Sequence, residues 1–126
     1  MSSVESRMSL LQPGAYTSTG AIIFYSNMWV ISATRTSVAL PIPKCYLKHI
    51  TINIFGNTLV GGGVTITFYK NASTVGSSVS WASGETGAKT ITLNDYAEEN
   101  DVICLEVNVA GTSGYIQFGT AGVHYE

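Results

Sequence analysis

Residues 64–109 read VTITFYKNASTVGSSVSWASGETGAKTITLNDYAEENDVICLEVNV, and three pieces of this stretch alternate apolar and polar residues. In residues 64–70, Val64, Ile66 and Phe68 fall on one side and Thr65, Thr67 and Tyr69 on the other. In residues 102–109, Ile103, Leu105, Val107 and Val109 oppose Cys104, Glu106 and Asn108. A period of two is the signature of a strand with one buried face and one face in water or against a partner. Between these pieces lie a turn at residues 70–73, a weak strand that puts Val79 and Trp81 on one face, a turn at residues 84–87, a short strand at residues 90–93 and a polar loop at residues 94–101. Asn71 suits its turn because Asn tolerates left-handed backbone angles.

The pattern continues upstream. In residues 45–55, Ile50, Ile52 and Ile54 share one face and His49, Thr51 and Asn53 the other. Residues 20–32 are dense in β-branched and aromatic side chains and predict one broken strand or two short ones. Residues 36–42 predict another, ended by Pro41 and Pro43, which lack the N–H a ladder requires. A final strand is expected over residues 114–118, resuming near Val123 and Tyr125. With about eight to ten strands, turns about every ten residues and no helical pattern, the expected fold is all-β: an antiparallel β-sandwich of jelly-roll or Greek-key type. The jelly-roll domain is expected over residues 15–126. Residues 1–14, where serines break any apolar stripe before Pro13-Gly14, are expected to form a short N-terminal arm.

Composition narrows the function. The chain has 126 residues, 45% of them hydrophobic and only 11% charged; ordinary soluble domains carry about 25% charged residues. Too few charges to cover the exterior suggests that part of it is a protein interface, although a β-rich monomer with a hydroxyl-rich surface would share this composition. The net charge is −2 and the six basic residues are scattered, which argues against nucleic acid as a partner. The N-terminal residues hold no signal-peptide core and no segment is apolar enough to span a membrane, so synthesis in a cytosol and no membrane partner are expected. Cys45 and Cys104 fall in expected strands and are read as buried, reduced thiols, with a cross-strand disulfide as the alternative that spacing leaves open.

No catalytic motif stands out, so no enzyme activity, metal or cofactor is expected. His49 and His124 are far apart and lack ligand spacing. His49 is expected on a half-exposed strand face and His124 near a terminal edge. Asp95, Glu98, Glu99 and Asp101 could offer oxygens to calcium but lack the loop spacing that would make the signal specific. Phe24, Tyr25, Trp29 and Trp81 could form a carbohydrate platform, though such residues more often anchor cores and interfaces.

The succession VTITFYKN, a weaker strand, a Gly-containing turn, TITL, a polar loop and DVICLEV resembles the jelly-roll domains of phage virion proteins, as does the upstream LPIPKCYLKHITINI. The resemblance covers roughly residues 36–118. That family is related in shape to the trimeric jelly rolls of the tumour-necrosis-factor and C1q type. Asn100 stands where the family usually has glycine before Asp101, and Ala72 where glycine is common after Lys70-Asn71; Asn is the best non-glycine residue for such turns.

The resemblance implies a structural virion protein: a capsid decoration, or cement, protein that binds the major capsid protein on the outside of a bacteriophage capsid as a homotrimer. Val4, Met8, Leu10 and Leu11 of the arm are then expected to grip the shell, and Tyr25, Trp29, Tyr69 and Tyr115 to make subunit contacts. The alternative is a receptor- or glycan-binding head domain of a tail or head fibre.

Overall fold

A computed structural model describes residues 6–11, 14–16, 22–25, 31–32 and 40–126, with side chains for residues 41–119 and 121–126. Among them are twelve strands, which build two antiparallel sheets packed face to face. The first sheet has the order β1 (Ser6–Leu11), β12 (Ile116–Tyr125), β6 (Cys45–Asn57), β10 (Gly87–Ala97), with β2 (Gly14–Tyr16) also on β12. The second has the order β4 (Ile31–Ser32), β3 (Ile22–Tyr25), β11 (Val102–Val109), β7 (Val64–Lys70), β8 (Ser73–Thr74). In that sheet β5 (Leu40–Pro41) also pairs with β11, and β9 (Val79–Trp81) with β7. The long strands β6, β7, β10, β11 and β12 belong alternately to the two sheets, so sheet neighbours are distant in sequence, as in a jelly roll. The excess over the expected strand count lies in short pieces such as β2, β4, β5 and β8.

The inner faces are those the alternation marks. Ile50, Ile52 and Ile54 of β6 meet Val64, Ile66 and Phe68 of β7 and Leu105, Val107 and Val109 of β11 in one core. Burying a large aliphatic or aromatic side chain contributes about 1.5–3 kcal/mol, and here the contribution is repeated along every long strand. Trp81 is 1% exposed although its strand is only three residues long. Its indole Nε1 donates to the Gly87 carbonyl at 3.0 Å, which removes the cost of burying a donor.

Among the register slips, those at Lys48 of β6 and Asn94 of β10 lie outside what alternation foretells. Leu47 and Ile50 are both fully buried, because the register against β12 slips at Lys48 and the strand changes phase there. In β10 the register slips between Thr92 and Asp95, and Asn94 sits at a φ of 45°. The expected break into a short strand and a polar loop at residues 94–101 is therefore replaced by one strand through Ala97 and a tight turn at residues 98–101. The expected left-handed asparagines are present: Asn71 has φ 57° and Asn100 φ 69°.

Part of the segment expected to be an arm is a strand. Ser6–Leu11 runs antiparallel to β12, with Met8 in register with Val123 and Leu11 with Ala121, two residues that face the core.

Candidate interaction face

The outer face of the first sheet is built by the residues that alternate with the core positions of β6, β10 and β12. Across its middle, His124, His49 and Thr92 form one register row and Gly122, Thr51 and Thr90 the next. The two imidazoles stack with centroids 4.3 Å apart and planes 22° from parallel. The Thr51 and Thr90 hydroxyls share a hydrogen bond of 3.0 Å. Beyond them along β6 come Asn53 and then Phe55, which is 54% exposed. In the other direction Tyr46 stands opposite Tyr96, their rings 4.8 Å apart and tilted by 56°. Among the described side chains these central rows hold no lysine, arginine or carboxylate. An ion pair, Lys48 to Glu126 at 3.5 Å, borders the histidine row, Lys48 lying between it and the Tyr46–Tyr96 row. In β1 the residue at the position opposite His124 is Arg7.

The second sheet presents a different exterior. Thr65 and Ser80 pair through their hydroxyls at 2.9 Å and Thr67 and Ser78 at 2.7 Å, so β7 is laced by side-chain hydrogen bonds to β9 and to the residue just before it. Tyr69 donates from its hydroxyl to Glu106 Oε2 at 3.2 Å.

The expected site residues fall apart into separate regions. Tyr69 is half-buried near the end of β7 that leads to the turn at Asn71, whereas Tyr115, also half-buried, lies at the opposite end, its backbone N–H bonded to the Thr58 hydroxyl. Tyr25 is in register with Leu105, one position out of phase with the Cys104–Tyr69 pair. Met8, Leu10 and Leu11 belong to β1, while Val4 and Trp29 lie outside the described residues. Trp81, offered by the sequence as a possible sugar platform, is in the core and unavailable to a ligand.

His124 is not at a terminal edge: β12 lies between β1 and β6. The stacked histidines and the tyrosine pair escape sequence reasoning because β6 finds its partners in β12 and β10, far along the chain, and no local pattern encodes that register.

The acidic residues serve local roles. Asp95 pairs with Lys70 at 2.5 Å. Asp101 accepts from the Glu98 N–H at 2.9 Å and from Asn71 at 3.2 Å, and these bonds hold its carboxyl below the usual aspartate range. Among the described residues no three His, Cys, Asp or Glu side chains group to hold a metal ion. Cys45 and Cys104 are both buried and neither is in a disulfide; burial pushes the Cys45 thiol up. No protein-family model matches the chain, and no curated protein matches it.

Proposed function

We propose that this chain is a structural protein of a bacteriophage particle, a decoration (cement) protein that binds the outside of the capsid as a homotrimer and braces the junctions between capsomers. The observation that carries the reading is the outer face of the first sheet, where His49, His124, Thr51, Thr90, Asn53 and Phe55 follow one another with no formal charge from lysine, arginine or carboxylate among the described side chains. Charge depletion with aromatic enrichment is the composition of an interface core, and the described middle of this face, flanked by Lys48 and by Arg7 in register beside His124, has few ions to desolvate when it is covered. A pleated sheet fixed by a packed core also presents such a face without ordering cost, which favours symmetric packing of identical copies. A trimer bound where capsomers meet would tie them together against outward pressure on the shell. The family resemblance of residues 36–118 points the same way.

The test is oligomeric state together with shell binding. Native mass and sedimentation are expected to give a trimer that adds to expanded shells of its particle. The double variant Asn53→Lys/Thr92→Lys, which places two charges on the face, is expected to keep its urea midpoint yet sediment as a monomer. A wild-type protein that is monomeric at high concentration and leaves expanded shells bare overturns the reading.

A further inference from the structure

At one end of the first sheet Lys44, Cys45, Tyr46, Tyr96 and Glu126 line an open cleft of about 460 Å3. That volume lies within the range of small-ligand sites, about 300–1,000 Å3. Tyr96 is 73% exposed, the most exposed of the large hydrophobic side chains described, and rests its ring against Tyr46. Its ring offers an apolar face with a polar tip beside the cleft, the amphipathic character that suits Tyr to recognition surfaces.

The cleft is held rigidly from several sides. The backbone of Tyr96 is pinned from the other sheet, where Lys70 Nζ donates to its carbonyl at 2.7 Å while pairing with Asp95. Tyr46 is fixed by a reciprocal pair of 2.9 Å backbone hydrogen bonds with Glu126. Its hydroxyl donates to Asn94 Oδ1 at 3.2 Å. Asn94 is the left-handed residue of the β10 bulge, and bulges commonly re-aim side chains beside functional sites. The Tyr46 ring, the Asn94 amide and the two strands are thus held before any ligand arrives, which lowers the cost of binding.

The lining selects the ligand's chemistry. It carries one cation, Lys44, and the Glu126 carboxylate, which already pairs with Lys48 at 3.5 Å, so neither sign of charge stands in large excess to draw a strongly charged ligand. A hydrocarbon would strip water from both ionic groups without replacing its hydrogen bonds. A pyranose satisfies every element: its C–H face packs on an aromatic ring, and its hydroxyls both donate to Glu126 and accept from Lys44. We infer that the Tyr46–Tyr96 cleft is a binding site for a neutral saccharide, with Tyr96 as the stacking platform and Lys44 and Glu126 as its hydrogen-bonding rim. The inference stands apart from the capsid reading, since it uses only one end of the sheet and needs no second subunit.

The full chain, labelled for amide NMR, is titrated with lactose, maltotriose, cellotriose and chitotriose, each to millimolar concentration, and is screened in parallel on an array that includes sialylated and sulfated glycans. At least one neutral glycan is expected to bind saturably, with shifts centred on Lys44, Tyr46, Tyr96 and Glu126. Tyr96→Ala is expected to weaken that binding by about tenfold or more while leaving the urea midpoint nearly unchanged, and Lys44→Met to weaken it less. Silence across the neutral panel, binding confined to the acidic glycans, or binding that Tyr96→Ala leaves intact overturns the inference. None of these outcomes bears on trimer formation or shell binding, so the two readings fail separately.

Discussion

At one end of the sandwich the chain turns through residues 82–85 (ASGE) and at the other through residues 98–101 (EEND), and the two turns share one hydrogen-bond scheme. The fourth residue donates its backbone N–H to the carbonyl of the first, Glu85 to Ala82 at 3.0 Å and Asp101 to Glu98 at 3.1 Å. The carboxylate of that same fourth residue accepts from the N–H of the first, at 2.9 Å in both turns. The third residue is left-handed in each: Gly84 at φ 77° and Asn100 at φ 69°. What differs is the surroundings. Beside the first turn, glycine backbone packs directly on neighbouring backbone and Trp81 fills the interior. Beside the second, Lys70, Asp95, Asn71 and Asp101 form polar clamps, and the tyrosine cleft stays open. The first end is set mainly by backbone shape beside an open cleft of about 400 Å3, with Glu85 paired to Lys89, and the second by side-chain clamps between strands, so the same turn should fail for different reasons at the two ends.

The largest contrast is between the two aromatics. Trp81→Ala empties a fully buried site and should cost about 3–5 kcal/mol. Tyr96→Ala removes a ring that is mostly in water and should cost less than about 1 kcal/mol. Urea midpoints of the two variants measure this directly. Comparable losses would mean that the Tyr96 end is as well packed as the Trp81 end, and the distinction would be broken.

Glycines give the next contrast. A Cβ on Gly63 would lie 2.0 Å from the Trp81 carbonyl oxygen, with the other near atoms also backbone, so nothing flexible can yield. Gly63→Ala should therefore cost about 1–3 kcal/mol or more. Gly84 has nothing within 4 Å, so Gly84→Ala should carry only the left-handed penalty of about 1–2 kcal/mol. A lower melting temperature for Gly84→Ala than for Gly63→Ala would reverse the assignment of shape to this end.

How much of this was legible follows from range. The αL asparagines at positions 71 and 100 and the inner faces of β6, β7 and β11 were readable, because turn chemistry and period-two burial are local properties of the chain. The bulges at Lys48 and Asn94 were not, since each is a slip between strands far apart in sequence, and Asn94-Asp95 in isolation reads as loop. The candidate face follows suit: His49 on a half-exposed strand face was readable from alternation, its stacking on His124 was not. The cleft depends on Tyr46 meeting Tyr96 and on Lys70 reaching across from the other sheet, neither of which the sequence expresses locally.

At the Tyr96 end, Lys70 is the clamp between the sheets. Lys70→Met keeps the stem's packing and removes both the bond to the Tyr96 carbonyl and the pair with Asp95. Because the lysine side chain is only 18% exposed, the expected loss is about 1–2 kcal/mol, larger than for an ordinary surface pair. Amide exchange should accelerate around Tyr96 and Ala97 more than at residues 82–85. Uniform acceleration at both ends would show that the clamp acts on the whole fold instead.

The finest distinction is in acid. The Ala82 N–H, followed by Lys89, holds the Glu85 carboxyl below its ordinary value of 4.5, and the Glu98 N–H, followed by Asn71, holds Asp101 below 3.8. Each group binds its proton less readily when folded, so each adds stability above its ordinary value and loses it as pH falls through the lower folded value. Urea midpoints followed downward from about pH 6 should thus begin to drop near the glutamate value first and the aspartate value second. Glu85→Gln should flatten the upper part of that acid limb and Asp101→Asn the lower. The partners differ in kind: Lys89 is an ion 3.1 Å from Glu85, whereas Asn71 is a neutral amide. Asp101 feels the Lys70 charge only as its smallest cause, so added salt should erode the Glu85 portion more than that of Asp101. If both portions fade together in salt, the two turns owe their acid sensitivity to the same long-range field, and the local hydrogen bonds that make them look alike contribute little to it.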